Sequence, residues 1–325
     1  MKILFMGTPD FAIPTLDALL ASSHEIIGVV TQLDAPAGRG RILRPPPVKR
    51  RAIEAALPVH QPEKPKRELW PDLWPDLIVV IAYGQILRSD ILEWPARGCI
   101  NLHASLLPRY RGAAPINWTI IEGETETGVT SMLMAERLDA GDILLQRGCP
   151  IAEDDTAETL WARLADLSAE VCLETLEALG QGTLTPRPQE ESKATYARKL
   201  KREDAYLDWG LAAAAICRRV RGLRPWPVAR TRWGMMEDRD PTEKGEGEDW
   251  IRVWMAVPGS EEGPPGVLPG TVGGLGKNAL GQEGVRIAAA DGWVLLTEVQ
   301  PEGGRRMDAR AFWQGHRLPA DAVLG

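Results

Sequence analysis

Apolar residues follow two rhythms through the first half of the chain. Lys2–Met6 (KILFM), Glu25–Thr31 around IIGVV, Leu77–Ala82 (LIVVIA) and Cys99–Leu102 are short, nearly unbroken runs with the length and branching of buried strands. Between them the period changes, and Phe11, Ile13, Leu16, Leu19 and Leu20 recur at helical spacing. Strand and helix patterns in alternation predict a mostly parallel sheet with helices on both faces. In such sheets ligands bind beyond the carboxyl ends of the strands. Tyr83 and His103 each fall at the end of a strand run. A longer stripe, Leu160, Leu164, Leu167 and Val171 continued by Leu173, Leu176 and Leu179, predicts a helix within Asp155–Gly180.

The pattern then stops. Gly182–Lys193 (GTLTPRPQEESK) is polar, rich in Pro and Glu and without period, as expected of a linker. Beyond it the spacing predicts a basic helix around Ala213–Arg221. Short β-type runs follow at Trp250–Ala256, Gly284–Ala290 and Trp293–Val299, separated by Gly and Pro, as in a small β-barrel. Residues 236–249 are acidic and contain glycine, which suits a solvated loop insertion. No internal repeat is visible.

Composition narrows the class. The 325 residues suit two domains, and 44% apolar content supports a sizeable core. Four separated cysteines, with no CxxC pair, disfavour a disulfide framework or a zinc site and fit a reducing cytoplasm. No apolar run is long enough to span a bilayer. The opening MKILFMGTPDF resembles a miniature signal peptide, but its apolar run stops at Gly7-Thr8-Pro9, so a buried strand is the better reading. There is no GxGxxG after the first strand and no GxxxxGK[ST], which disfavours a dinucleotide or ATP. Trp is frequent (twelve) and Phe scarce (three), for which the sequence offers no functional account.

A net charge of −7 argues against wholesale coating by nucleic acid, but the charge is uneven. Glu191–Arg232 holds eleven basic residues against four acidic ones. That run fits either a polyanion-facing surface or an Arg-rich helix face. Asp34–Lys49 (DAPAGRGRILRPPPVK) is a Gly- and Pro-rich loop carrying Arg39, Arg41, Arg44 and Lys49. It reads either as a solvated linker loop or as an insertion that grips phosphates.

Candidate chemistry gathers in Asn101-Leu-His103-Ala-Ser105-Leu-Leu-Pro108-Arg-Tyr-Arg111-Gly112-Ala-Ala-Pro115. Asn101 and His103 are two apart at a strand end and share a face. An amide donor beside a titratable imidazole suits acyl transfer, one holding a developing oxyanion and the other taking part in proton movement. Taken alone, the pair also fits a structural histidine that caps a turn with asparagine support. Asp139, in Leu138-Asp139-Ala-Gly141-Asp142, could hold the His103 tautomer, or could be an ordinary turn aspartate beside glycine.

In combination these residues resemble the folate-dependent formyltransferases. The pattern NxHxSLLPxxRGxxP is followed about twenty residues later by LDxGD. FMGTPDFAIPTL, TQLDAPAGRGRILRPPPVK, GVTSMLM, ESKATYARKL, the RPWP of Arg224–Pro227 and the terminal GHRLPADAVLG resemble the branch acting on methionyl-tRNA. The resemblance runs from residue 3 to 325. It implies a Rossmann-like α/β catalytic domain over residues 1–187, a linker over 188–203, and a tRNA-holding β-barrel similar to the oligonucleotide-binding fold over 204–325. It implies 10-formyltetrahydrofolate as co-substrate, initiator methionyl-tRNA as partner, no metal, no membrane, and a cytoplasmic monomer. It makes Asn101, His103 and Asp139 the catalytic trio. Gln85, Ile86 and Leu87, Ser105, Leu106, Leu107 and Pro108, and the run Met134–Asp139 become folate-binding. Arg39, Arg41, Arg44 and Lys49 become tRNA-binding. Three rivals remain: a formyltransferase for a nucleotide sugar or glycinamide ribonucleotide, a non-catalytic tRNA binder, and a cofactor hydrolase. The basic loop speaks against the first and the intact trio against the second.

Overall fold

The apolar runs of the first half form the inner strands of one sheet in the computed structural model, which describes residues 1–37, 42–234, 250–259, 266–319 and 322–324. Lys2–Gly7 (β1), Glu25–Val30 (β2), Val59–His60 (β3), Leu77–Ile81 (β4), Cys99–His103 (β5), Glu126–Leu133 (β6) and Ile143–Pro150 (β7) lie in the order β7-β6-β5-β4-β1-β2-β3. The ladders from β3 through β5 are parallel. Those joining β5 to β6 and β6 to β7 are antiparallel. Every residue of β4 is buried, as are Ile3 through Gly7 of β1, because strands covered on both faces must be apolar throughout. The strand order reverses between β1 and β4, the topological switch point of a Rossmann-like sheet. There the Tyr83 carbonyl accepts hydrogen bonds from Thr8 Oγ1 and Gln32 Nε2, both at 2.9 Å, which fastens together the segments that leave β1, β2 and β4.

The helical stripe is realised as Ala157–Gln181. Leu160, Leu164, Val171 and Leu176 are buried, and Thr175 Oγ1 meets Ser131 Oγ of β6 at 2.7 Å. No helix among the described residues is long and apolar enough to cross a membrane. The chain divides into two compact units. One holds residues 1–116, 125–151 and 159–198, and the other holds 117–124, 152–158 and 199–325.

In the second unit the strands Ala229–Arg232, Trp250–Pro258, Trp293–Pro301, Glu283–Ala288 and Val272–Lys277 pair antiparallel in that order, and Met307–Asp308 adds to Trp293–Pro301. The helix Ala213–Gly222 buries Ile216, Cys217 and Val220. Part of the basic run is engaged inside this unit. Arg219 donates to the Asp204 carbonyl (3.1 Å), Arg221 donates to the Asp155 carbonyl (2.6 Å), and Arg224 pairs with Glu158 (3.4 Å). The tryptophans acquire a partial account here. Arg230 and Arg232 lie over Trp250, Arg306 over Trp254 and Arg286 over Trp293, at 4.6–5.5 Å from the ring centres. The expected loop insertion at 236–249 lies outside the described residues.

All four cysteines are buried, and none is in a disulfide. Burial pushes the thiols of Cys99, Cys172 and Cys217 up to about 12, so they stay protonated and unreactive at neutral pH. Native protein at pH 7.5 is expected to show no fast labelling of these three by a disulfide reagent, with modification following unfolding instead. Peptide mapping of labelled native chain checks this, and rapid labelling at any of the three contradicts it.

Candidate active site

β5 carries Asn101 and His103 on one face, because side chains alternate along a strand. Asn101 pairs across to Val80 of β4 and Met132 of β6, and it is half-buried. Among the described residues its amide makes no hydrogen bond. His103 is buried, and its Nε2 lies 2.9 Å from the Tyr110 carbonyl oxygen. A carbonyl can only accept, so Nε2 carries a hydrogen and Nδ1 is the ring position that gains or loses a proton. Nδ1 faces Asp139 Oδ2 at 3.7 Å, an ion-pair separation longer than a hydrogen bond. Tyr110 aims its carbonyl from a left-handed backbone (φ 58°) and is held there by its own N–H, which donates to Thr195 Oγ1 at 2.8 Å.

Asp139 reaches this point from the loop between β6 and β7. It adopts φ 50°, a conformation that aspartate tolerates better than most residues. Its Oδ2 also accepts the Gly112 N–H at 2.8 Å. The loop is tight: Leu133 N–H donates to the Asp142 carbonyl at 2.9 Å, and a Cβ at Gly141 would lie 1.8 Å from the Leu133 oxygen. Only glycine fits there, which accounts for the spacing of LDAGD.

The other expected positions divide. Leu87 is buried and Gln85 half-buried, while Ile86 stands 81% exposed on the segment that follows β4. Leu138, beside Asp139, is likewise exposed. Ser105 is fully buried, and its hydroxyl donates to the Arg109 carbonyl (2.7 Å). Leu107 packs with Met132 and Ile143. Within Ser105–Pro108, therefore, Leu106 and Pro108 are the half-buried positions. In the basic segment, Ala35–Ala37 pairs antiparallel with Ile42–Arg44, and a helix starts at Pro47, where proline suits the first turn. The expected long loop through Lys49 is thus a ribbon followed by a helix. Arg44 is exposed on the ribbon. Lys49 lies on the helix with Nζ 2.8 and 2.9 Å from the two Asp34 carboxylate oxygens. Arg39 and Arg41 lie outside the described residues.

Sequence reasoning assigned no role to three residues next to the trio. Arg111 is buried, with its guanidinium against Gln189 Oε1 (2.8 and 3.1 Å) and the Glu191 carboxylate (2.9 and 3.3 Å). Arg111, and then Arg137, hold the Glu191 carboxyl below the usual range. Gln189 in turn donates to the carbonyls of Asp139 and Gly141. Arg111 stood inside the NxHxSLLPxxRG pattern, but nothing in a sequence marks an arginine as buried. Gln189 and Glu191 fall in the polar stretch that reads as a linker.

Comparison with known proteins matches two family models. Residues 1–176 match "Formyl transferase" and residues 199–317 match "Formyl transferase, C-terminal domain". The methionyl-tRNA formyltransferase of Methylococcus capsulatus is 46% identical over 322 residues, covering 98% of this chain and 98% of that one. That of Trichlorobacter lovleyi is 43% identical over 327 residues, covering 99% and 96%. Among solved structures, HypX from Aquifex aeolicus, in complex with tetrahydrofolic acid, superposes with a TM-score of 0.61 at 21% identity. The match covers 98% of this chain, which spans about half (48%) of the HypX chain. WlaRD, a sugar 3N-formyltransferase solved with dTDP and 5-N-formyl-THF, gives a TM-score of 0.64 at 14% identity, covering 91% and 96%. These two likenesses concern the fold.

Proposed function

The chain belongs to the formyl transferase family, and on that premise we propose that it transfers the formyl group of 10-formyltetrahydrofolate to the α-amino group of methionyl initiator tRNA. The observation that carries this reading is the Asn101, His103 and Asp139 constellation at the end of β5, in a chain whose full-length relatives are methionyl-tRNA formyltransferases. The reaction needs no enzyme nucleophile. The substrate amine bonds to the formyl carbon, and the carbonyl electron pair moves onto oxygen. When the carbonyl re-forms, the bond to folate N10 breaks, the amine sheds a proton and N10 gains one. The Asn101 amide, free of other partners among the described residues, donates to the oxygen as it becomes negative. His103, protonated at Nδ1, adds positive charge there, and Asp139 stabilises that cation.

The half-buried Gln85 and the exposed apolar side chains of Ile86 and Leu138 suit a flat pterin, whose edge is read by polar groups and whose faces are covered by apolar ones. The chain acts in the cytoplasm as a monomer, with its second unit contributing to the grip on tRNA. Incubation with methionyl initiator tRNA and folate labelled in its formyl group tests the reading. Label in the aminoacyl-tRNA supports it. Free labelled formate marks a hydrolase, and transfer only to an amino-sugar nucleotide marks the small-molecule rival.

Removing the charges of Arg39 and Arg41 is expected to spare folate binding and to raise the KM for tRNA. Each lost phosphate contact removes close to one unit from the salt slope of binding. Calorimetry with a folate analogue decides: a large loss of folate affinity overturns the tRNA assignment.

A further inference from the structure

We propose that Gln189, oriented by the buried Arg111, is a positioning residue that sets the Asp139 loop against His103. The inference rests on the reading of the trio given above. The Gln189 amide has one orientation available. Its Oε1 faces two guanidinium N–H groups of Arg111, at 2.8 and 3.1 Å, and oxygen is the end that accepts. Nε2 is thereby turned to the loop, where it donates to the Asp139 carbonyl and to the Gly141 carbonyl, each at 2.8 Å. Both amide protons are used, one on each side of Ala140.

Arg111 is itself fixed. It is 1% exposed, and Glu191 holds its other edge at 2.9 and 3.3 Å. Its backbone N–H donates to the Thr195 carbonyl at 2.9 Å, and the next residue, Gly112, gives its N–H to Asp139 Oδ2. Asp139 is therefore gripped twice from one place in the chain, at its carboxylate by Gly112 and at its carbonyl through Arg111 and Gln189. The same segment also acts on the imidazole, because Thr195 Oγ1 accepts the N–H of Tyr110, whose carbonyl holds His103 Nε2. Residues 187–197 thus strap the loop of one catalytic residue and the turn that orients another. The grip is needed because Asp139 sits at φ 50° and meets His103 at 3.7 Å, with no shorter contact between the two side chains to hold them.

Gln189→Glu isolates the effect. The carboxylate keeps an acceptor for Arg111, so the strap stays anchored, but it presents an oxygen instead of an N–H to the two loop carbonyls. Gln189→Leu removes both functions. Each variant is expected to lower kcat about 10–100-fold, the scale on which a misplacement of about 1 Å acts. KM for the folate and for the tRNA should stay within about threefold, with assays run well below the melting temperature of each variant. Because Arg111 acts through Gln189, adding Arg111→Met to Gln189→Leu should lower kcat no further.

The wild-type assay with methionyl-tRNA and formyl-folate is read first and by itself. Absence of transfer there sinks the functional reading, whereas the variants are judged only against a working wild type. If folded Gln189→Glu keeps wild-type kcat, or if adding Arg111→Met lowers kcat well below that of Gln189→Leu, the positioning role is overturned.

Discussion

Replacing Asn101 by alanine is expected to lower kcat about 10²–10³-fold, the usual effect of removing one donor from a site where negative charge builds. The fold should remain. Asn101 is half-buried and its amide bonds to nothing else among the described residues, so truncation leaves no orphaned partner. Its backbone stays in the ladders to Val80 and Met132. The melting temperature should therefore move little, and KM for the folate should change far less than kcat. Asn101→Asp should be worse than alanine, because it sets a carboxylate where the oxyanion forms. Steady-state kinetics on both variants, with thermal melts alongside, check the argument. A kcat within about threefold of wild type in the alanine variant removes Asn101 from the oxyanion role.

The strands that frame this site are legible in the sequence because of where they lie. β1, β2, β4 and β5 are interior strands, each with at least one parallel neighbour, and such buried strands show as unbroken apolar runs. β6 is equally buried but does not read as a run. Its interior holds Thr127, Thr130 and Ser131, and two of these hydroxyls are satisfied from far away in the chain: Thr130 by the Ser105 carbonyl, Ser131 by Thr175. Polar residues buried with partners defeat a reading based on hydropathy alone.

The candidate site divides the same way. Asn101 and His103 are two apart, so strand geometry alone puts them on one face. Asp139 comes from a separate loop, and it meets His103 only because glycine at 141 allows that loop to turn on itself. The strap is the least legible part. Gln189 and Glu191 lie in a Pro- and Glu-rich stretch whose composition is that of a solvated linker, and their partner Arg111 is 78 and 80 residues away. Short-range pattern carries no trace of such pairings. The basic run of 191–232 shows the converse: charge that reads as a polyanion-facing surface is partly engaged with Asp155, Glu158 and Asp204.

Asp139→Asn should separate the charge of the trio from its geometry, with kcat falling between about 10² and 10⁴-fold. The amide is the same size, and its oxygen can still accept the Gly112 N–H, so the loop should keep its path. What is lost is the negative charge beside Nδ1. Nε2 of His103 is committed to the Tyr110 carbonyl, which leaves Nδ1 as the position where the ring takes a proton. With a neutral amide at that point the imidazolium loses its counter-charge. KM should stay within a few-fold, since neither substrate is bound through this pair in the proposed mechanism. Asn101→Ala combined with Asp139→Asn should cost less than the product of the two single losses, because both act on one transition-state oxygen. A folded Asp139→Asn protein with kcat near wild type would show that the His103 cation does not assist transfer, and would leave Asn101 as the principal stabiliser of the oxyanion.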